Sequence, residues 1–169
     1  AGGCDGGRSL PPPGKVASLT VDVRRSDWDL GGIPGQRLAT RHYAILTTSD
    51  NRALLDALPA FMEAAHDNYR HLTGLAEPAT GPDDRMTLYV LADRRQWAAL
   101  TRRIVGPMAP TFLRIENGGY CFRGVCVLWD MGHFSTFSIA AHEGLHQYLH
   151  HRLRDGLPAW TEEGLAVLS

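Results

Sequence analysis

Two histidines and a glutamate lie within five consecutive residues in the last third of the chain, at His142, Glu143 and His146. If this segment is helical, the two imidazoles lie one above the other on one face, where both can bind the same metal ion. Glu143 is then placed to take a proton from water at that ion instead of binding the metal itself. Zinc suits such a nitrogen-rich site, because it acts as a Lewis acid and lowers the pKa of its water to about 7. The spacing therefore predicts a hydrolytic metal centre.

A catalytic zinc site needs a third protein ligand and one open position. The segment 158–166, Pro-Ala-Trp-Thr-Glu-Glu-Gly-Leu-Ala, supplies this ligand as Glu163. Its leading proline favours a helix start, and the Asp-Gly turn before it folds the new helix back against the first. Glu162 is the neighbouring alternative, about 100° away around the helix. A second alternative places the third ligand on the first helix itself, at His150, one turn beyond His146.

At these residues the chain resembles the gluzincin metallopeptidases, the thermolysin-like clan. Within that clan it is similar to bacterial peptidase-MA-like families, whose pattern is His-Glu-x-x-His followed by Pro-x-Trp-x-x-Glu-Gly-x-Ala. The resemblance covers residues 135–166. Matched residue by residue, it implies that His142, His146 and Glu163 bind one zinc ion per chain and that Glu143 is the general base. It also implies an α+β, zincin-like fold with a small mixed β-sheet, an edge hairpin and long helices.

The activity that this resemblance implies is zinc-dependent hydrolysis of peptide bonds in a peptide or protein substrate. The alternative is a non-catalytic zincin-like surface domain that binds a partner. Glu143 favours the enzyme, since a binding site needs the metal ligands but not the base. A structural zinc site would normally have four protein ligands, and the sequence offers three.

Two positions depart from the pattern of the family. Gluzincins usually place a Tyr or His that stabilises the oxyanion beyond the glutamate helix, whereas this sequence ends three residues after Ala166. Either the sequence is a C-terminally truncated fragment or another group takes this role, for which we name Tyr120 and His133. Thermolysin-like enzymes often carry an Asp one turn after the glutamate ligand to orient a histidine, and this sequence has Val167 there.

Hydrophobic periodicity predicts the elements that must position these residues. Each helix is bounded by capping or stop residues, and the first contains Pro59, which predicts a kink or a break. Strands are predicted at 16–23, 43–47, 86–92 and within 111–130, helices at 49–73, 93–103 and 135–153, and a loop at 28–35. The order of strand, long helix, strand, helix, hairpin and active-site helix resembles the N-terminal half of gluzincin enzymes.

Residues 121–126 are typical of a β-hairpin with Arg123 and Gly124 as its two-residue turn. In this register Cys121 faces Cys126 as a non-hydrogen-bonded pair, with Cα atoms roughly 4.5 Å apart, a distance that a disulfide can span. Two small, buried free thiols are the equal alternative. In gluzincins this hairpin borders the substrate cleft, so the resemblance implies that residues 119–129, with Gly119 and Tyr120, bind an extended peptide by β-augmentation.

The composition is that of one globular domain, predicted at 16–169. Of the 169 residues, 44% are hydrophobic and 21% are charged, and the formal net charge is −1. The basic residues are scattered along the chain, which excludes a nucleic-acid-binding groove. The longest apolar run has five residues, so the sequence predicts no transmembrane helix.

The N-terminal residues 1–15 predict a flexible tether, since eight of them are Gly or Pro. The sequence Ala-Gly-Gly-Cys-Asp at the start resembles the lipidation site of bacterial lipoproteins and makes Cys4 the candidate for a lipid anchor. A bland flexible tail is the alternative. A lipidated Cys4 and a disulfide between Cys121 and Cys126 would both indicate an extracytoplasmic bacterial protein, periplasmic or at the cell surface.

Overall fold

The computed structural model describes residues 21–76, 81, 84–153, 157 and 159–166. This part of the chain forms a six-stranded mixed sheet with helices on both faces. The strands are β1 (Arg24–Asp29), β2 (Pro34–Ala39), β3 (Tyr43–Thr47), β4 (Met86–Leu91), β5 (Tyr120–Phe122) and β6 (Val125–Trp129). The helices are α1 (Arg52–Thr73), α2 (Arg94–Val105), α3 (Ala109–Phe112), α4 (His133–Arg152) and α5 (Ala159–Ala166), with a 3-10 turn at Gly106–Met108. The α+β class is confirmed.

The strand order is β1-β2-β3-β4-β6-β5. Strands β3, β4 and β6 are parallel to one another, whereas β1, β2 and β5 each run antiparallel to their neighbours. The predicted edge hairpin is therefore present, with β5 as the outer strand. Within it, Arg123 and Gly124 form the turn with φ values of 50° and 75°, as a two-residue turn of type I′ requires.

Alternate residues of the central strands enter two different cores, because successive side chains of a strand point to opposite faces. On one face, Cys126 and Leu128 of β6 pack with residues of α1 and α4. On the other, Val127 and Trp129 pack with Trp97 and other residues of α2. Helices α1 and α4 thus share one face of the sheet, and the predicted active-site segment lies on the second of them.

Helix α1 begins and ends at strong signals. The side chain of Asn51 accepts a hydrogen bond from the backbone N–H of Leu54, and Gly74 ends the helix in the left-handed conformation with φ 67°. The helix continues through Pro59 without the predicted break. Leu54 and Met62, on either side of the proline, are both fully buried in the same core, so tertiary packing holds both halves of the helix in place.

The N-terminal strand prediction is shifted. Residues 21–23 carry no regular structure, β1 begins at Arg24, and residues 16–20 lie outside the described residues. Strands β1 and β2 form a hairpin whose loop, residues 30–33, lies within the predicted loop 28–35, and five of the six residues of β1 are exposed. A strand exposed on both faces has no hydrophobic alternation to reveal it.

Candidate metal centre

Hydrogen bonds to neighbouring elements fix the position of α4. The side-chain amide of Gln147, fully buried, donates to the carbonyl oxygens of Thr87 and Gly124 at 2.7 and 2.8 Å. From α1, the hydroxyl of Tyr69 donates to the carbonyl oxygen of Ala141 at 2.6 Å. With α4 held between the hairpin and α1, the opposite stripe of the helix faces an open cleft.

The Nε2 atoms of the two histidines of α4 converge on one point in the cleft. The Nε2 atoms of His142 and His146 lie 3.3 Å apart. The carboxylate of Glu163 completes the group: Oε2 lies 3.6 Å from Nε2 of His142, and Oε1 lies 3.6 Å from Nε2 of His146. Helix α5 thus folds back against α4 and brings the predicted carboxylate to the predicted histidines.

The chemistry and spacing of this group fit a zinc ion. Zinc lies about 2.0–2.2 Å from His nitrogen and carboxylate oxygen, so the ligand atoms of a tetrahedral site are about 3.3–3.5 Å apart. Nε2 of His142 and Nε2 of His146 lie 3.3 Å apart, and each lies 3.6 Å from a different carboxylate oxygen of Glu163. One ligand atom from each of the three residues lies within 4.8 Å of the other two. Burial and the neighbouring His146 lower the pKa of His142, which favours the neutral imidazole that binds metals. His150 lies outside this group, which is the metal-ligand set found among the described residues.

Glu143 lies beside this group and lines the same cleft. Burial raises the pKa of Glu143 to about 6, against the lowering effects of His146 and of a hydrogen bond from the Cys121 backbone. Its own carbonyl oxygen accepts a hydrogen bond from the thiol of Cys126 at 3.1 Å. This part of α4 is therefore held against both strands of the hairpin.

Glu162 contacts the far side of the second histidine. Its Oε2 lies 3.3 Å from Nδ1 of His146, and its Oε1 accepts a hydrogen bond from the backbone of Leu157 at 3.1 Å. A carboxylate at Nδ1 fixes the ring and directs Nε2 to a metal. On the other histidine, the ring of His142 forms a hydrogen bond with the backbone of Ala166. From the sequence alone, Glu162 was only an alternative metal ligand, and no hydrogen-bond partner could be predicted for the rings of His142 and His146.

The cleft has a volume of about 870 Å³ and contains the metal group at one end. One wall is α4, and the other is the start and tip of the hairpin, including Gly119, Tyr120 and Cys121. Gly119 packs tightly, since a Cβ there would lie 2.9 Å from Cβ of Leu128 and 3.2 Å from Cγ2 of Ile139. The predicted hairpin residues thus do border the cleft that holds the predicted ligands.

Of the two residues named for oxyanion stabilisation, Tyr120 lines the cleft but points its ring away from the metal group, and His133 does not line this cleft. The ring of Tyr120 is buried on the other face of the sheet against Phe112, and its hydroxyl donates to Thr101 at 3.2 Å. The expectation for this hydroxyl is wrong, because Tyr120 and Cys121 point to opposite faces and Cys121 is the one on the α4 side. His133 is exposed at the start of α4, where its ring lies 4.3 Å from that of Phe137.

Cys121 and Cys126 face each other across the hairpin in the predicted register, and both are free thiols. Burial raises the pKa of the Cys126 thiol well above its usual value, which keeps it protonated. Their disulfide stays a prediction. Cys4 and the tether 1–15 lie outside the described residues.

Among the described residues, none of the helices is both long and apolar enough to cross a membrane. No family model matches the chain, and searches of curated proteins and of solved structures found no match either.

Proposed function

We propose that this chain is a zinc-dependent metallopeptidase of the gluzincin type with a zincin-like fold. The observation that carries the proposal is the approach of His142, His146 and Glu163 to within 3.3–3.6 Å of one another. Glu143 lines the same cleft, which has a volume of about 870 Å³. Three ligands from two helices, with a carboxylate next to them that does not belong to the set, match a catalytic zinc site better than a structural one.

A zinc ion held by His142, His146 and Glu163 would supply Lewis acidity, which polarises a peptide carbonyl and makes water a better nucleophile. The carboxylate of Glu143 takes a proton from the attacking water and later gives it to the nitrogen of the leaving amine. Glu162 holds the His146 ring at Nδ1 throughout, so that Nε2 keeps its direction.

The outer edge of β5 supports a peptide substrate. Cys121 belongs to a non-hydrogen-bonded pair with Cys126, so its backbone N–H and C=O point away from β6, toward the free edge of the strand. An extended peptide can add to such an edge as a further strand. Because the Cys121 backbone also contacts the Glu143 carboxylate, a peptide in this place would pass the proposed base.

The first test measures zinc in the purified full chain, in Glu163→Ala and in a matched control, Glu116→Ala, whose exposed glutamate lies in the loop before β5. We expect about one zinc per chain in the wild type and in the control, and a large loss in Glu163→Ala because one ligand of three is removed. An unchanged zinc content in Glu163→Ala would remove the basis of the proposal.

The second test separates the enzyme from a zinc-dependent binding domain. The wild type and Glu143→Ala, both loaded with zinc, are incubated with a quenched-fluorescent peptide library. We expect Glu143→Ala to keep its zinc and to lose hydrolysis by at least about 100-fold, as general base catalysis typically contributes 10²–10⁴-fold. Zinc in both proteins without cleavage by the wild type would favour the binding domain.

A further inference from the structure

The end of the cleft away from the metal group is lined by basic side chains. We call this region the cationic end and define it by Arg123, His150, His151 and Arg152. Among the described residues, the acidic side chains that line the cleft are Glu143, Glu162 and Glu163, all at the metal group. The described lining of the cleft therefore carries its negative charge at one end and its positive charge at the other.

Arg152 is a partly buried cation, and its contacts with the described residues include no carboxylate. Its Nη2 donates to Nε2 of His66 at 3.2 Å, and its guanidinium lies 5.0 Å from the centre of the Tyr148 ring. The Nε atom is buried and has no hydrogen-bond partner among the described residues. A charge removed from water is normally paired, so this guanidinium is suited to bind an anion that enters the cleft.

Arg123 occupies a backbone position that arginine disfavours. Its φ of 50° lies in the left-handed region, where Asn or Gly fits the first turn position of a type I′ hairpin better. The side chain is exposed, its guanidinium lies 5.3 Å from the ring of Phe122, and among the described residues no carboxylate pairs with it. The turn alone does not explain an arginine at position 123, whereas a role for its cation at the rim of the cleft does.

The tip of the hairpin packs against the last turn of α4. The ring of His151 donates from Nε2 to the carbonyl oxygen of Gly124 at 3.2 Å, and a Cβ at Gly124 would lie 2.6 Å from Cδ2 of His150. This contact brings Arg123 of the hairpin and Arg152 of the helix to the same end of the cleft.

The distance between the two ends sets where a substrate would meet the charge. Arg152 follows His146 by six residues, which is about 9 Å along a helix. An extended peptide covers this distance in two to three residues, at about 3.3 Å each. β5 runs toward the hairpin tip, so a peptide that pairs with it in the antiparallel direction would run from the tip toward Gly119. In that orientation the residues that reach the cationic end are those N-terminal to the scissile bond.

We propose that the cationic end is a subsite for an acidic side chain, Asp or Glu, two or three residues N-terminal to the cleaved bond of a peptide substrate. This inference rests on the proposed peptidase function for its substrate class. The binding step needs only the guanidinium groups of Arg123 and Arg152, which form charge-assisted hydrogen bonds with a carboxylate.

The test uses binding, so that it does not depend on turnover. The zinc-loaded Glu143→Gln chain is immobilised and incubated with a randomised decapeptide library, and the retained peptides are sequenced by mass spectrometry. We expect Asp and Glu to be enriched at least threefold over the input. Adding Arg152→Gln should return the enrichment to the input level, and adding Arg123→Gln should at least halve it. The matched control, Arg102→Gln on the opposite face of the sheet, should keep it.

Because Arg152 also contacts His66 and Tyr148, the circular dichroism of each variant is measured, and the exposed Arg123 carries the test if Arg152→Gln does not fold. Retention without enrichment, no retention, or enrichment that persists in every folded variant of Arg123 and Arg152 would overturn the proposal.

Cleavage of the same library by the zinc-loaded wild type separates the two proposals. Selective retention of acidic peptides without cleavage would support the subsite at the cationic end and count against the peptidase function. Cleavage that is indifferent to acidic residues on the N-terminal side of the bond would support the peptidase function and count against the subsite.

Discussion

The consecutive residues Glu162 and Glu163 both reach His146, at opposite nitrogens of its ring. Oε2 of Glu162 lies 3.3 Å from Nδ1, and Oε1 of Glu163 lies 3.6 Å from Nε2. Neighbours on a helix point about 100° apart, so they can meet one side chain only if its two polar atoms also point apart, as those of imidazole do. The Leu157 backbone holds Glu162 in this position.

The contact of Glu162 predicts a graded effect on zinc binding. We expect Glu162→Ala to weaken zinc binding by about 10- to 100-fold, because His146 loses the group that orients it. Glu162→Gln keeps an acceptor oxygen for the ring and should lie between Glu162→Ala and the wild type. Titration with a competing chelator measures these affinities, and the stoichiometry at saturation should remain one zinc per chain. Equal affinity of all three proteins would show that Glu162 has no part in the site.

The ligands could be predicted from the sequence because their spacing alone places them. His142 and His146 share a helix face whatever surrounds the helix, and Glu163 needed only a turn that brings α5 back. The role of Glu162 could not be predicted in this way, since its contact with Nδ1 depends on how α5 docks on α4. The expectation for the Tyr120 hydroxyl failed because successive residues of a strand point to opposite faces, and the side chain of Cys121, not that of Tyr120, lies on the α4 side of the sheet.

At the scale of elements, Gly144 allows the close packing of α1 and α4. A Cβ at this position would lie 2.8 Å from the hydroxyl oxygen of Tyr69 and 3.1 Å from Cε of Met62. Met62 is flexible at its end, but the Tyr69 ring is fully buried and its hydroxyl is bonded to Ala141. Gly144, the residue that follows Glu143, is therefore constrained by the helix behind it.

This packing predicts that Gly144→Ala destabilises the fold. Overpacking lowers the free energy of unfolding by about 1–3 kcal/mol, whereas the higher helix propensity of alanine than of glycine raises it by about 1 kcal/mol. We expect a net loss of about 1 kcal/mol in the free energy of unfolding, measured by urea denaturation. Gly164→Ala in α5 is the matched control, since a Cβ there meets no atom within 4 Å, and it should not destabilise.

Combining Gly144→Ala with Tyr69→Phe tests whether the clash with the Tyr69 hydroxyl causes the destabilisation. Without the hydroxyl the nearest contact disappears, so Gly144→Ala should cost less in Tyr69→Phe than in the wild type, a coupling that a double-mutant cycle measures. An equal cost in both backgrounds would assign the effect to something other than the clash with Tyr69.

The elements that could be predicted well from the sequence are those that bury at least one of their faces. Helix α1 and strands β3 and β4 each bury apolar side chains at a regular period, and their residue types therefore show the element. The exposed β1–β2 hairpin has no such pattern. Residues 111 and 112, at the start of the segment 111–130 that was predicted to hold strands, belong to the short helix α3, because Pro110 sits in the first turn of this helix and the 3-10 turn Gly106–Met108 links it to α2.

At the scale of the whole molecule, a hydrogen-bonded contact between Glu63 of α1 and His42, in the turn from β2 to β3, makes folding depend on pH. Nδ1 of His42 lies 2.6 Å from Oε2 of Glu63, and the backbone N–H of His42 donates to Oε1 at 2.9 Å. Burial acts to raise the pKa of Glu63, but the hydrogen bonds from His42 and Thr40 outweigh it and lower the pKa from 4.5 to about 2. The folded state therefore favours the charged form of Glu63.

A carboxyl whose pKa is lower in the folded state stabilises the fold above its unfolded pKa, and this contribution disappears as the pH falls toward the folded pKa. For Glu63 the window is about pH 5 to pH 2, and the shift corresponds to roughly 3 kcal/mol at most. We expect Glu63→Gln to be less stable than the wild type at pH 7 and the difference in unfolding free energy to shrink toward pH 2, as measured by urea denaturation. The exposed control Glu116→Gln should show a small difference at every pH. A deficit of Glu63→Gln that stays constant from pH 7 to pH 2 would mean that packing, and not the charge of Glu63, joins α1 to the sheet here.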